Sequence, residues 1–151
     1  MSAARENKRQ INARVACYRL RIGRSKLHRY GVFALEDIPR DRRVIEYTGK
    51  RLRIEQAVKI SPPNDIYIAR ISGSLLVDGR RGGSGAEFMN HSCQPNLKQR
   101  RVRGHLLFFS RRKIRAGEEL TWNYHYRVKL RRIPCHCDVR GRRGTLRLIV
   151  S

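Results

Sequence analysis

At 151 residues the chain has the length of one domain, and its 40% hydrophobic content is enough for a core, which excludes a wholly disordered polymer. No apolar run reaches the roughly 20 residues that a membrane-spanning helix needs, so a soluble protein in a reducing, intracellular compartment is expected. Thirty-five Lys and Arg against 12 Asp and Glu give a net charge of +23, a field that attracts polyanions and makes DNA or RNA the first candidate partner.

Residues 1–14 are polar and basic and read as a flexible segment. From there a period of two dominates. CYRLRI sets Tyr18, Leu20 and Ile22 against Arg19 and Arg21, which is strand spacing. Further short strands are expected at GVFAL, RVIEYT, IYIARI, SLLVD, HLLFF, ELTWNY and TLRLIV, bounded by Gly, Pro, Asn, Asp or Arg-rich turns. Many arginines thus occupy the solvent side of strands, an ordinary surface role that competes with polyanion binding. Only residues 51–60, RLRIEQAVKI, suit a helix, with Ile54, Ala57 and Val58 on one face and SPP at 61–63 to stop it. GRRGGSG at 79–85 lets backbone approach closely, but the Lys-Ser or Lys-Thr and the helix of a nucleotide-phosphate loop are missing. FMNHSCQPN at 88–96 is a polar knot that neither strand nor helix spacing demands. An Arg-rich connection follows at 127–134. Cys17, Cys93, Cys135 and Cys137 are too few for a secreted disulfide scaffold; metal binding or burial suits them better.

SKLHRYGVFA (25–34), EYTG (46–49), VDGRRGGSGAEFMNHSCQPN (77–96) and GEELTWNY (117–124) occur in that order, followed by CHCDVRGRRGTL (135–146). Together they resemble the SET-domain family of protein lysine methyltransferases, over about residues 15–147. The motif NHSCQPN, with ELTWNY some 25 residues beyond it, carries most of the resemblance. It implies a mainly β fold of several small sheets with a knot-like crossing and one or two short helices. Residues 15–126 correspond to the SET domain and 127–151 to a post-SET-like segment.

The resemblance further implies transfer of methyl groups from S-adenosyl-L-methionine to a lysine side chain of a protein, a histone or a histone-like or ribosomal protein. That displacement needs nucleophile, methyl carbon and sulfur in line. It also needs a neutral amine, although a free lysine titrates near ~10.4. A narrow apolar channel beside a sulfonium charge lowers that value, and a neutral tyrosine hydroxyl can hold the amine. The matching positions are Tyr124 as the active-site tyrosine, Tyr47 as a wall of the lysine channel, and Trp122 where bulk limits the methyl count. For the donor they are Arg29, Tyr30, Gly31, Tyr67, Glu87, Phe88, Asn90 and His91, with Tyr124 beside the sulfonium. Asn90 is expected on the methionyl amine or carboxylate.

Departures from the family pattern are Arg29 for the first glycine of G-x-G, Glu87 for a frequent arginine and Asn123 for an aspartate. Arg29 is expected to make that turn less permissive. In the tail, three cysteines and the one in N-H-S-C bind zinc in the family. Here Cys93, Cys135 and Cys137 supply three ligands and Arg142 takes the fourth place, so Zn2+ and packed thiols both stay open. The competing reading is a nucleic-acid-associated basic module on the same scaffold with weak or no catalysis. A homodimer is compatible with the family, and the compartment is the cytoplasm or nucleoid in a bacterium, the nucleus and chromatin in a eukaryote.

Overall fold

The computed structural model describes residues 9–60 and 67–124, together with the backbone of two short strands at 132–134 and 145–147. Within these, the chain is built of short strands in four small sheets. β1 (Leu20–Arg24) and β2 (Tyr30–Ala34) form an antiparallel pair in which Leu20 faces Ala34 and Ile22 faces Val32. The period-two pattern puts those four on one side, and Arg21 takes the other, its guanidinium over the Phe33 ring.

β3 (Arg43–Tyr47) belongs to a second sheet. β4 (Lys50–Arg53) leads directly into α1 (Ile54–Ile60), and β5 (Ile68–Arg70) and β6 (Leu75–Asp78) complete a third sheet ordered β4-β6-β5. The helix expected over 51–60 is therefore shorter than its pattern suggested. Leu52 is buried between exposed Arg51 and Arg53 and pairs with Leu76, so the first residues obey strand alternation and Ile54 starts the helix.

A single 3-10 turn, Ala86–Phe88, precedes β7 (Asn90–His91). β8 (Leu97–Val102) and β9 (His105–Ser110) form a hairpin packed on β3 in the order β3-β9-β8. β8 carries no apolar alternation beyond Leu97, and its place comes from pairing with β9, whose Leu106 and Phe108 point into the core. β10 (Glu119–Trp122) joins β2 antiparallel and β7 parallel, giving the order β1-β2-β10-β7. β11 (Arg132–Pro134) and β12 (Thr145–Arg147) pair with each other, so the connection expected at 127–134 contains a strand.

Val32, Ile38, Val44, Ile45, Phe108, Ile114 and Leu120 are completely buried and form one core beneath the sheets. Each such side chain stabilises the fold by about 1.5–3 kcal/mol over its exposed state. Met89 and Trp122 belong to that same cluster, so the two motif segments rest directly on the core. Among the described residues no helix is long and apolar enough to cross a membrane.

Candidate functional site

The polar knot is one half of a parallel crossing. Asn90 lies beside Thr121 and His91 beside Trp122, and the Ser92 amide donates to the Trp122 carbonyl at 3.2 Å. Parallel neighbours need a long connection, supplied here by the β8–β9 hairpin. Asn96 clasps the far end. Its Nδ2 donates to the Glu119 carbonyl at 2.8 Å, and its Oδ1 accepts the Thr121 amide at 2.9 Å. One carboxamide, 3% exposed, thereby substitutes for strand pairing where proline breaks the ladder.

The crossing assembles an aromatic cluster. Trp122 stands 4.8 Å from Tyr124, 5.0 Å from Phe108 and 6.4 Å from Tyr47 between ring centroids, and His91 lies 5.4 Å from Tyr124. The Tyr124 amide donates to His91 Nδ1 at 3.0 Å, which makes Nδ1 an acceptor and leaves the proton of a neutral ring on Nε2, 3.4 Å from Cys93 Sγ. The Tyr124 hydroxyl donates to the Met89 carbonyl, and the Tyr47 hydroxyl to the Tyr67 carbonyl at 2.7 Å. Both phenols therefore have their protons committed to main-chain carbonyls. Two buried polar atoms, Trp122 Nε1 and Asn123 Oδ1, have no partner among the described residues.

Beside Phe88 and Asn90 opens a cleft, continuous with solvent and lined by His28, Arg29, Tyr30, Tyr67, Glu87, Phe88 and Asn90. Tyr67 and Phe88 meet edge to face at 5.9 Å. Asn90 Nδ2 points at the carbonyls of Tyr30 (2.8 Å) and His28 (3.2 Å) and at Glu119 Oε1 (2.9 Å). Glu119 also accepts from Ser25 Oγ at 2.8 Å, tying the 25–30 loop to β10. Gly31 is required here, since a Cβ at that position would sit 2.2 Å from Glu119 Oε1. Arg29 adopts φ +34°, a left-handed conformation that strains a residue other than glycine, so the turn forms with arginine in the first glycine's place.

Glu87 is 4% exposed. Burial pushes its carboxyl up to about 7; the Gly85 amide, donating at 2.8 Å, opposes that, and the charge of Asp78 adds to it. Burial also pushes Asp78 up, but the fork of Arg80, at 2.7 and 2.9 Å, outweighs it and holds that carboxyl below its usual range.

A family model described as SET domain matches residues 29–125, which contain the crossing and all of the cleft wall but His28. The chain belongs to the SET-domain family. Relatives of this SET domain include the Schizosaccharomyces pombe protein "Histone-lysine N-methyltransferase, H3 lysine-4 specific", 36% identical over 137 residues, which are 84% of this chain and 15% of that protein. "Histone-lysine N-methyltransferase SETD1A" of Homo sapiens is 30% identical over 143 residues, 85% of this chain and 8% of its own length. "Histone-lysine N-methyltransferase set-2" of Caenorhabditis elegans is 32% identical over 137 residues, 84% and 9% respectively. The chain thus spans 8–15% of the length of these relatives.

Of the residues singled out in the sequence, the SET fold gathers Arg29, Tyr30, Tyr67, Glu87, Phe88 and Asn90 around the cleft, with His28 as a further wall. Tyr47, His91, Trp122 and Tyr124 form the adjoining aromatic cluster, and Gly31 lies under Glu119. Sequence reasoning gave no role to Ser25, Asn96, Phe108 or Glu119. Asn96 and Glu119 sit inside the quoted motifs, but only the crossing shows what they hold. Cys93 is half-buried beside His91, while Cys135 and Cys137 lie outside the described residues. Among the described residues no three His, Cys, Asp or Glu gather as a metal site.

Proposed function

We propose that this SET domain transfers methyl groups from S-adenosyl-L-methionine to a lysine amine of a protein, with the donor in the cleft lined by Arg29, Tyr67, Phe88 and Asn90 and the amine among the aromatic rings. The observation that carries the reading is the parallel crossing, which sets the cleft against a cluster of tyrosines and tryptophan along one segment: Phe88 and Asn90 line the cleft, while Met89 and His91 hold Tyr124. The cleft suits such a donor. Tyr67 and Phe88 offer faces to a flat base, Arg29 offers a guanidinium to a carboxylate, and Glu87 and Asn90 offer oxygens to an ammonium. Because Asn90 Nδ2 is spent on protein oxygens, Oδ1 is the atom left for the ligand, which selects the amine over the carboxylate.

When bound, the donor supplies an electrophilic methyl on a positively charged sulfur. Everything else falls to side chains. Tyr124, its proton held by the Met89 carbonyl, accepts an N–H of the neutral substrate amine and turns the lone pair towards the methyl. Tyr47, fixed on the Tyr67 carbonyl, walls the lysine stem together with Trp122. These rings exclude water and disfavour the ammonium form, so the amine loses its proton to solvent before transfer. His91 orients the backbone at Tyr124 through Nδ1 and acts as a positioning residue.

Relatives named histone-lysine methyltransferases support a histone-type lysine as the substrate class. The test is incubation of the purified chain with isotopically labelled S-adenosyl-L-methionine, core histones and, separately, a whole-cell protein extract. Mass-shifted lysine in any protein supports the reading. Complete absence of label from both mixtures, with the donor shown to be bound, overturns it.

A further inference from the structure

Arginine side chains tie the sheet β4-β6-β5 to the tip of the β8–β9 hairpin. Arg101 of β8 donates from Nε to the Arg70 carbonyl of β5 at 3.1 Å, and Arg51 of β4 donates from Nη2 to the Gly104 carbonyl at 2.8 Å. Arg70 in turn donates to the carbonyls of Ser72 and Gly73 in the turn that follows β5. Arg103, beside Gly104, completes the group. It is exposed at φ +49°, a left-handed hairpin position that favours Asn, Asp or Gly, so the turn carries a long cation at a cost in backbone strain.

No carboxylate answers these charges. Among the described residues no ion pair includes Arg51, Arg70, Arg101 or Arg103, while Asp41, Glu46, Asp78 and Glu118 are matched with Lys98, Arg43, Arg80 and Arg112. Glu46, on the neighbouring strand β3, is also taken up by His105. Burial and then the like charge of Arg70 push Arg101 below the usual arginine range, and no acid opposes them. The carbonyl contacts fix these guanidiniums, yet both terminal nitrogens of Arg101 and Nη1 of Arg51 make no hydrogen bond among the described residues. A guanidinium held from one side and open on the other suits phosphate oxygens.

We infer that Arg51, Arg70, Arg101 and Arg103 form a docking surface for the phosphate backbone of duplex DNA, whatever its sequence. The net charge of +23 supplies long-range attraction, and the cluster gives that attraction a place. All four side chains are arginine rather than lysine, the cation whose planar fork matches a phosphate. Of the polyanions, DNA is the one that carries histone-type substrates, so this step rests on the methyltransferase reading. The position agrees with it. Arg101 and Tyr47 both lie opposite Leu106 across paired strands, about 10 Å apart, so a duplex held here lies beside the acceptor site.

Fluorescence anisotropy of a labelled random-sequence DNA duplex tests the inference. It compares wild type, Arg51→Gln/Arg101→Gln/Arg103→Gln, and a control that loses three charges elsewhere, Arg21→Gln/Arg112→Gln/Arg115→Gln. Wild type should bind less tightly as salt rises. In the cluster variant the slope of log K against log salt should fall by about two to three units, with about a tenfold or greater loss of affinity. The control should change the slope by less than about one unit. Equal effects in the two variants, or no salt-dependent binding by wild type, overturn the inference. So does tighter binding of an RNA duplex or of phosphatidylserine vesicles, lost in the cluster variant. Should the triple variant not fold, Arg103→Gln decides, because that exposed side chain takes no part in the carbonyl contacts above. A slope and affinity equal to wild type then overturn the inference. Failure of wild type to methylate DNA-free core histones overturns the proposed function instead and leaves the DNA result standing.

Discussion

Replacing Asn96 by alanine is the most informative perturbation of the crossing. The substitution removes the acceptor of the Thr121 amide and the donor to the Glu119 carbonyl, while the Asn96 amide keeps its 3.4 Å approach to Thr121 Oγ1. Thr121 is 8% exposed, so water reaches its orphaned amide poorly. A buried polar group left without a partner costs about 1–3 kcal/mol, and the two lost bonds together predict a loss of about 2–4 kcal/mol. Against a total stability of about 5–15 kcal/mol the fold survives, and the urea midpoint falls by about 1–2 M. Asn96→Asp sharpens the test. It retains an acceptor for Thr121 but turns the donor into a carboxylate facing the Glu119 carbonyl, so the variant is as unstable as alanine at pH 7. Below pH 4, where the acid regains an O–H, its stability relative to Asn96→Ala recovers. Equilibrium urea unfolding followed by tryptophan fluorescence suits the measurement, because Trp122, the chain's one tryptophan, lies in the crossing. A loss under about 0.5 kcal/mol for Asn96→Ala would refute the claim that this carboxamide clasps β10.

Glu87 makes stability fall with rising pH. Its folded-state titration lies above the ordinary value of 4.5, so its contribution is complete below 4.5 and is lost as pH rises through about 7, by about 3 kcal/mol in all. Glu87→Gln should abolish this component in unfolding curves between pH 5 and pH 8 and be the more stable protein at pH 8. Arg29→Gly should match or exceed wild-type stability by up to about 1 kcal/mol, because relief of the left-handed strain outweighs the entropy of the unfolded glycine. Its affinity for the donor, measured by calorimetry, should nevertheless drop several-fold with the loss of the guanidinium. Trp122 limits space beside Tyr124, so mono- and dimethyl-lysine should dominate, and Trp122→Phe should raise the trimethyl fraction in peptide mass spectra. A wild type that yields mainly trimethyl-lysine contradicts that assignment.

Much of the site was legible because it follows chain order in short motifs. Asn90, His91 and Tyr124 lie in strings specific enough to name a family, and β1, β2 and β9 announce themselves by alternation. Other features depend on contacts between remote segments and leave no periodic signal. β8, LKQRRV, is a strand because β9 and the turn at Arg103–Gly104 fold it back, with both turn residues at positive φ. Residues 51–53 read as helix because Leu52 and Ile54 suit either spacing, and only Leu76 opposite decides. Glu119 drew no role from the sequence, yet it joins Ser25 and Asn90 across 94 and 29 residues of sequence. Glu87 stood out as a departure from the family pattern, whereas its partnership with the glycines of 79–85 emerges only when the loop closes on it.

Steady-state methyl transfer by wild type, Asn90→Ala and Tyr124→Phe most directly tests whether two segments some 30 residues apart form one site. Asn90→Ala should raise KM for S-adenosyl-L-methionine by tenfold or more, and Tyr124→Phe should lower kcat by about 100-fold with little change in donor KM. Transfer at the wild-type rate by both variants would contradict the account.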